Sequence, residues 1–274
     1  LEVVKTAIVS PKPSSPNAMR IGTIAFIVSL IGGVGLVFII EQMDNKVRSI
    51  DEIVADIDKP VLAAIPRAPN FRGNGSLLTL SKPSSPGSEA YRLLKTNLSF
   101  VEPDNPVKSI LITSATPEDG KSTTLANLAV TLARSGRRVI IIEADFRRPV
   151  LSKYLELEGA IGLTNTIADS CSLVESLQVI EVEKLVVGHQ KSLHENRSKE
   201  VLSGAIYKKN ANSEIKPIYC AVSGPLPPNP GELAASEKMG TIITEAGKYA
   251  DVVLVDSPPI GLVGDAASLA AWVD

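Results

Sequence analysis

Ser109-Ile-Leu-Ile-Thr-Ser-Ala-Thr-Pro-Glu-Asp-Gly-Lys-Ser-Thr123 decides the fold. Ile110, Leu111 and Ile112 read as a short buried strand, followed by a tight loop and the start of a helix. Ala115 to Ser122 has the spacing of a phosphate-binding loop, with Gly120-Lys121-Ser122 as its fixed end. The leading position, glycine in the strict pattern, is Ala115. The chemistry needs no side chain there, because backbone N–H groups at a helix N-terminus hold the phosphate oxygens, with the helix dipole behind them. The candidate nucleotide-binding residues are Thr116, Pro117, Glu118, Asp119, Gly120, Lys121, Ser122 and Thr123. Lys121 is expected to reach the β- and γ-phosphates of ATP, and the Ser122 hydroxyl to ligate Mg²⁺.

The strands downstream supply the acids. Val139 to Ile142 is an apolar run of the kind covered on both faces of a sheet, and it ends in Glu143-Ala-Asp145-Phe-Arg-Arg-Pro149. Acids at the carboxyl end of a parallel strand sit where ligands bind in such sheets. Asp251-Val-Val-Leu-Val-Asp256 is a second buried strand ending in a carboxylate, followed by Ser257-Pro258-Pro259. Asp145 and Asp256 are therefore candidate metal ligands beside Ser122, and with Lys121 they form the candidate catalytic set.

Upstream, Ile21 to Ile40 runs twenty residues without a charge. At ~1.5 Å per residue it spans the ~30 Å hydrocarbon core of a bilayer once. It is apolar on all faces, which argues against an amphipathic core helix. Its position within the chain argues against a cleaved signal. Residues 1–20 contain Pro11, Pro13 and Pro16 and read as an extended approach, expected to lie outside the cytoplasm; the nucleotide loop puts the other side within it. Ser49 and Glu52 have capping-box spacing ahead of a short amphipathic helix, and Val61–Ile65 reads as a strand. Residues 41–87 are assigned to a juxtamembrane segment and linker, and 88–274 to an incomplete nucleotide-binding α/β domain. The expected fold is a mostly parallel sheet flanked by helices.

Within that domain, Ser88–Phe100 reads as a helix with Tyr91, Leu94 and Leu98 on its inner face. Glu89, Arg92 and Lys95 share another face, which suits either a solvated ion-pair row or a contact between copies. Residues 150–180 read as alternating helix and loop, Lys184–Gly188 and Ile218–Val222 as strands, and 189–217 as an exposed excursion. One helix from Asn229 through Tyr249 follows, capped by Asn229 with Pro230 first. Gly264–Trp272 begins another helix, after which the sheet looks cut short. A formal net charge of −2 gives no field that would attract nucleic acid. Cys171 and Cys220 fit no metal spacing and suit a reducing compartment. His189 and His194 receive no role.

Taken together, the Gly120-Lys121-Ser122 loop, the Glu143-Ala-Asp145-Phe-Arg-Arg-Pro149 run and the Leu254-Val-Asp256-Ser-Pro-Pro259 strand end resemble the bacterial tyrosine kinases, within the wider ParA- and MinD-like ATPases. Glu89-Ala-Tyr-Arg92-Leu-Leu-Lys95-Thr-Asn97 and Pro227-Pro-Asn-Pro-Gly-Glu-Leu233 also resemble that family. The apolar helix with its Pro-rich approach resembles the second membrane segment of the polysaccharide co-polymerase module fused to these kinases. The resemblance implies transfer of the γ-phosphoryl of ATP to tyrosine with Mg²⁺, usually between neighbouring copies. It implies homo-oligomers through Glu89, Arg92 and Lys95, partners in polysaccharide polymerisation and export, and anchorage in membrane lipid. It also implies that Arg147 and Arg148 lie near the phosphates. The chain departs from the family at Glu143, where the family has Asp, and at Lys95, where it has Arg. The tyrosine-rich tail of the family is not in this sequence. Two alternative readings are a ParA/MinD-type switch ATPase, disfavoured by Thr116 where those proteins carry Lys, and a non-catalytic co-polymerase.

Overall fold

The structure is a computed structural model that describes residues 17–43, 53–54, 59–67, 77–102, 104, 106–182 and 215–274. The Ser49–Glu52 cap, Lys184–Gly188 and most of the 189–217 excursion lie outside the described residues. Two compact units divide at Val61 and Leu62.

In the first unit, helix α1 (Ala18–Met43) contains the apolar run. It is 26 residues long, has mean hydropathy 2.6, and buries none of its residues within the structure. The Thr23 hydroxyl donates to Met19 O at 2.9 Å, which satisfies the polar atom within the helix itself. By length and composition α1 can cross a membrane.

The second unit is an α/β sandwich. In chain order its elements are α2 (Leu78–Ser81), α3 (Pro86–Leu98), β1 (Ser109–Ile112), α4 (Lys121–Arg134), β2 (Val139–Glu143), α5 (Leu151–Tyr154), α6 (Leu163–Ile167), α7 (Leu173–Ser176), β3 (Leu177–Ile180), β4 (Ile218–Ala221), α8 (Pro230–Ala235), α9 (Glu237–Tyr249), β5 (Val252–Asp256) and α10 (Asp265–Ala270). The five strands lie in the order β1-β5-β2-β4-β3. All pairs are parallel except β3 with β4.

Strand periodicity divides the core. Val139, Ile141 and Leu254 point into one apolar layer with Leu125, Leu128, Ala129 and Leu132 of α4. Ile140, Ile142, Val253 and Val255 point into the other, against Met239, Ile242, Ile243 and Ala246 of α9. Because side chains alternate, strands covered on both faces must be apolar throughout, and β2 and β5 are buried at every position. Replacing a fully buried leucine such as Leu125 by alanine would cost about 2–5 kcal/mol.

Several expectations are corrected. β1 is an edge strand, so Ile110, Leu111 and Ile112 are only partly buried. Val61–Ile65 has no assigned secondary structure and joins no strand among the described residues. Part of the expected linker belongs to the core, since Leu77 and Leu80 are buried against α4. Leu177–Ile180 is a strand, paired antiparallel to β4. The helix expected over 229–249 is two helices, because Ser236 turns extended and its hydroxyl accepts from Met239 N to start α9. Asn229 precedes α8, but its side chain makes no capping bond and donates instead to Glu232. Both described cysteines are free, Cys220 inside β4.

Candidate active site

The phosphate loop joins the carboxyl end of β1 to α4. Gly120, the N-cap of α4, has φ 95°, a left-handed conformation that a side chain would strain. Glu118 adopts φ 66° without that freedom. Its cost of order 1–3 kcal/mol must be met by surrounding contacts. Asp119 supplies them: its carboxylate accepts from Thr116 N and from the Thr116 hydroxyl, both at 2.8 Å. These bonds hold the Asp119 pKa below the usual carboxylate range. Pro117 has no N–H and can only shape the loop. The β5–α10 connection closes over it; a side chain at Gly261 would come within 2.4 Å of Ala115 O.

Beneath the loop, four predicted residues meet. Ser122 Oγ donates to Asp256 Oδ2 at 2.8 Å. Lys121 Nζ lies 3.1 Å from Asp145 Oδ2 and 3.6 Å from Asp256 Oδ1. Nζ is also 3.2 Å from Ser122 Oγ. Residues 121 to 256 are brought together because parallel strands β2 and β5 are neighbours and carry Asp145, two residues past β2, and Asp256, the last residue of β5, to the edge where α4 begins. Asp145 is oriented by its own turn, Oδ1 accepting from Arg147 N at 3.2 Å and Arg148 N at 3.0 Å.

Asp256 is fully buried, and burial pushes its pKa up to about 7 in spite of Lys121 and the Ser122 bond. Its Oδ1 accepts no hydrogen bond from any described residue. An orphaned buried carboxylate oxygen is costly, and here it stands beside a hydroxyl and a second acid. Such a hard, all-oxygen donor set suits Mg²⁺, which takes one or two carboxylates and completes its shell with water and phosphate. The residues present therefore fit that ion.

Two residues behave differently from expectation. Glu143, the counterpart of the family's first acid, does not join this cluster. Its Oε1 accepts from Leu151 N at 2.6 Å and Ser152 N at 3.4 Å, and its Oε2 from Ser223 N at 3.0 Å. The extra methylene lets one carboxylate tie the start of α5 to the end of β4. Burial raises its pKa, and those backbone bonds oppose the rise. Arg147 forms a two-pronged pair with Asp265, Nε to Oδ2 at 2.7 Å and Nη2 to Oδ1 at 3.1 Å, rather than facing the loop. Asp265 at the start of α10 was not foreseen; its one sequence signal is an acid in the first turn of a helix. The Arg92 guanidinium pairs with Glu89 on α3 and also donates to Pro83 O.

Comparison with known proteins agrees with this fold. Residues 110–263, more than half the chain, match the CobQ/CobB/MinD/ParA nucleotide binding domain. Tyrosine-protein kinase YwqD of Bacillus subtilis (strain 168) is 34% identical over 199 residues, covering 73% of this chain and 70% of that protein. Tyrosine-protein kinase ptk of Acinetobacter johnsonii is 26% identical over 97% of this chain, which spans 33% of that longer protein. The kinase domain of Escherichia coli tyrosine kinase ETK superposes with TM-score 0.64 at 25% identity, covering 83% of this chain and 80% of that one. A loop that cradles phosphate beside two strand-end acids, on a sheet shared with these proteins, is the inheritance of one lineage: the chain belongs to the CobQ/CobB/MinD/ParA nucleotide-binding family and, within it, to the bacterial tyrosine-protein kinases.

Proposed function

We propose that this chain is a membrane-anchored kinase that moves the γ-phosphoryl group of ATP to tyrosine in a capsule or exopolysaccharide system. The observation that carries the reading is the orphaned Asp256 Oδ1 beside Ser122, Lys121 and Asp145. Ser122 and Asp256 would hold Mg²⁺, which when bound neutralises phosphate charge. Lys121 exchanges its contact with Asp145 for the β- and γ-phosphates. Asp145, fixed by two amides, then faces the incoming phenol and takes its proton. The tyrosine oxygen bonds to the γ-phosphorus as the bond to the β-bridging oxygen breaks, and ADP carries away the electron pair. A phenol has pKa about 10, so proton removal accompanies transfer rather than preceding it.

The α1 helix would anchor the kinase, with the catalytic unit on the cytoplasmic side where ATP is. The Glu89, Arg92 and Lys95 face would meet a second copy, and polysaccharide polymerisation and export proteins would be partners.

The full chain, incubated with ATP and Mg²⁺ and a tyrosine-containing polypeptide, should form phosphotyrosine. Lys121→Met should abolish the signal. Hydrolysis of ATP without phosphotyrosine would instead support the switch-ATPase reading. For orientation, protease added to intact cells should spare everything after Glu41.

A further inference from the structure

A cavity with basic side chains in its wall lies at the far end of the phosphate-loop helix. A cavity of about 210 Å³ opens between α2, α3 and α4, and Arg92, Lys95 and Arg134 line it together with hydroxyl-bearing residues that include Thr79 and Thr131. No carboxylate lines it. Arg134 uses Nη1 on Thr79 O at 3.0 Å, which leaves the rest of its fork of donors for a ligand. Lys95 has no side-chain partner among the described residues. Arg92 is balanced by Glu89, so the cavity keeps the charge of about two cations.

Lys95 and Arg134 each stand in the last turn of a helix, where the dipole favours a cation. That accounts for each of them alone. It does not account for their convergence on one carboxylate-free cavity. The walls are also rigid: Asn127 of α4, fully buried, accepts from both the backbone N–H and the hydroxyl of Thr79 at 3.0 Å. Thirteen residues of helix separate Lys121 from Arg134, roughly 20 Å, so this site is distinct from the phosphate loop.

We infer that the α2–α3–α4 cavity binds a phosphoryl dianion through Lys95 and Arg134, with Arg92 at its rim. Planar guanidinium forks and an ammonium are the groups that recognise such oxyanions. The dianion comes either from free phosphate or from a phosphotyrosyl side chain; the latter source rests on the kinase function proposed above. Occupation would tie α3, whose Glu89, Arg92 and Lys95 face is the one proposed to meet a second copy, to α4, which carries the phosphate loop.

The test uses the full chain in detergent with Lys121→Met, which weakens anion binding at the loop. Orthophosphate and a phosphotyrosine peptide are titrated separately by calorimetry. Binding is expected, weakening with salt, and Arg134→Gln should lower affinity at least about tenfold. Lys95→Gln, which breaks no hydrogen bond of the fold, should do the same. Preference for the peptide or for orthophosphate identifies the source. ATP binding by chains with Lys121 intact should be unchanged by either substitution, so failure here leaves the kinase reading standing. No binding at millimolar anion, or binding indifferent to both substitutions, overturns the site.

Discussion

Glu143 and Asp256 are opposite each other in register at the ends of neighbouring parallel strands, and both are wholly buried. Burial raises both pKa values. Yet one carboxylate has its oxygens saturated by main-chain N–H groups, while the other keeps a bare oxygen beside a hydroxyl and an ammonium. The contrast separates structure from chemistry. A satisfied buried acid ties two connections together; an unsatisfied one leaves an oxygen that a cation could take.

That contrast can be broken most sharply at Asp256. Asp256→Asn should lower the kinase rate by about 10²–10³-fold, since it removes the carboxylate that would hold Mg²⁺ against the phosphates. The same change should stabilise the nucleotide-free fold at pH 8 by up to about 4 kcal/mol, because a carboxylate raised from 3.8 to about 7 opposes folding when ionised. Rate assays and thermal melts of one preparation check both halves; a variant that is both active and less stable would reverse the assignment.

Glu143 should show the opposite pattern. Glu143→Ala leaves buried amides unpaired and should cost about 3 kcal/mol or more, with ATP affinity of the folded fraction nearly unchanged. Glu143→Asp sharpens the point. The family resemblance suggests that Asp would improve catalysis, whereas the geometry predicts that the shorter side chain cannot reach Leu151 N and Ser223 N together. Lower stability without a gain in rate is expected.

The pH dependence follows from the same pair. The folded pKa of Asp256 lies above its unfolded value, so the folded state binds the extra proton between about pH 4 and 7. Stability from this group therefore falls as pH rises through that window and is level above it. Mg²⁺-dependent ATP affinity should move the other way and drop about tenfold for each pH unit below 7. Asp256→Asn should remove this group's share of the trend and leave that of Glu143, whose pKa burial also raises. The smallest effect concerns Arg147 and Asp265: a double-mutant cycle should give about 1 kcal/mol of coupling, since Arg147 is 42% exposed and solvent screens the pair.

What could be read in the sequence was whatever is written locally. The loop, β2 and β5 declare themselves through apolar runs closed by acids, and the long apolar helix declares itself by length. Leu177–Ile180 did not, because four residues of mixed polarity carry too little period to betray a strand whose partner lies about forty residues away. Leu77 and Leu80 were hidden in a Ser- and Pro-rich stretch, and their burial depends on α4 meeting them. The break at Ser236 rests on a backbone turn that the helical spacing of Met239 and Ile242 does not reveal. At the site, Lys121, Ser122, Asp145 and Asp256 were legible from motif spacing. The Arg147–Asp265 pair was not, because it joins residues 118 apart in the chain. Glu143 was legible as an acid in the right place, but its role depends on which amides come within reach.

The most direct test is phosphotyrosine formation on an added tyrosine polypeptide, with ATP and Mg²⁺, by the unsubstituted chain, Glu143→Gln and Asp256→Asn at equal folded concentration. The unsubstituted chain and Glu143→Gln should give comparable signals and Asp256→Asn almost none. A signal that survives in Asp256→Asn, or disappears only in Glu143→Gln, would contradict the account.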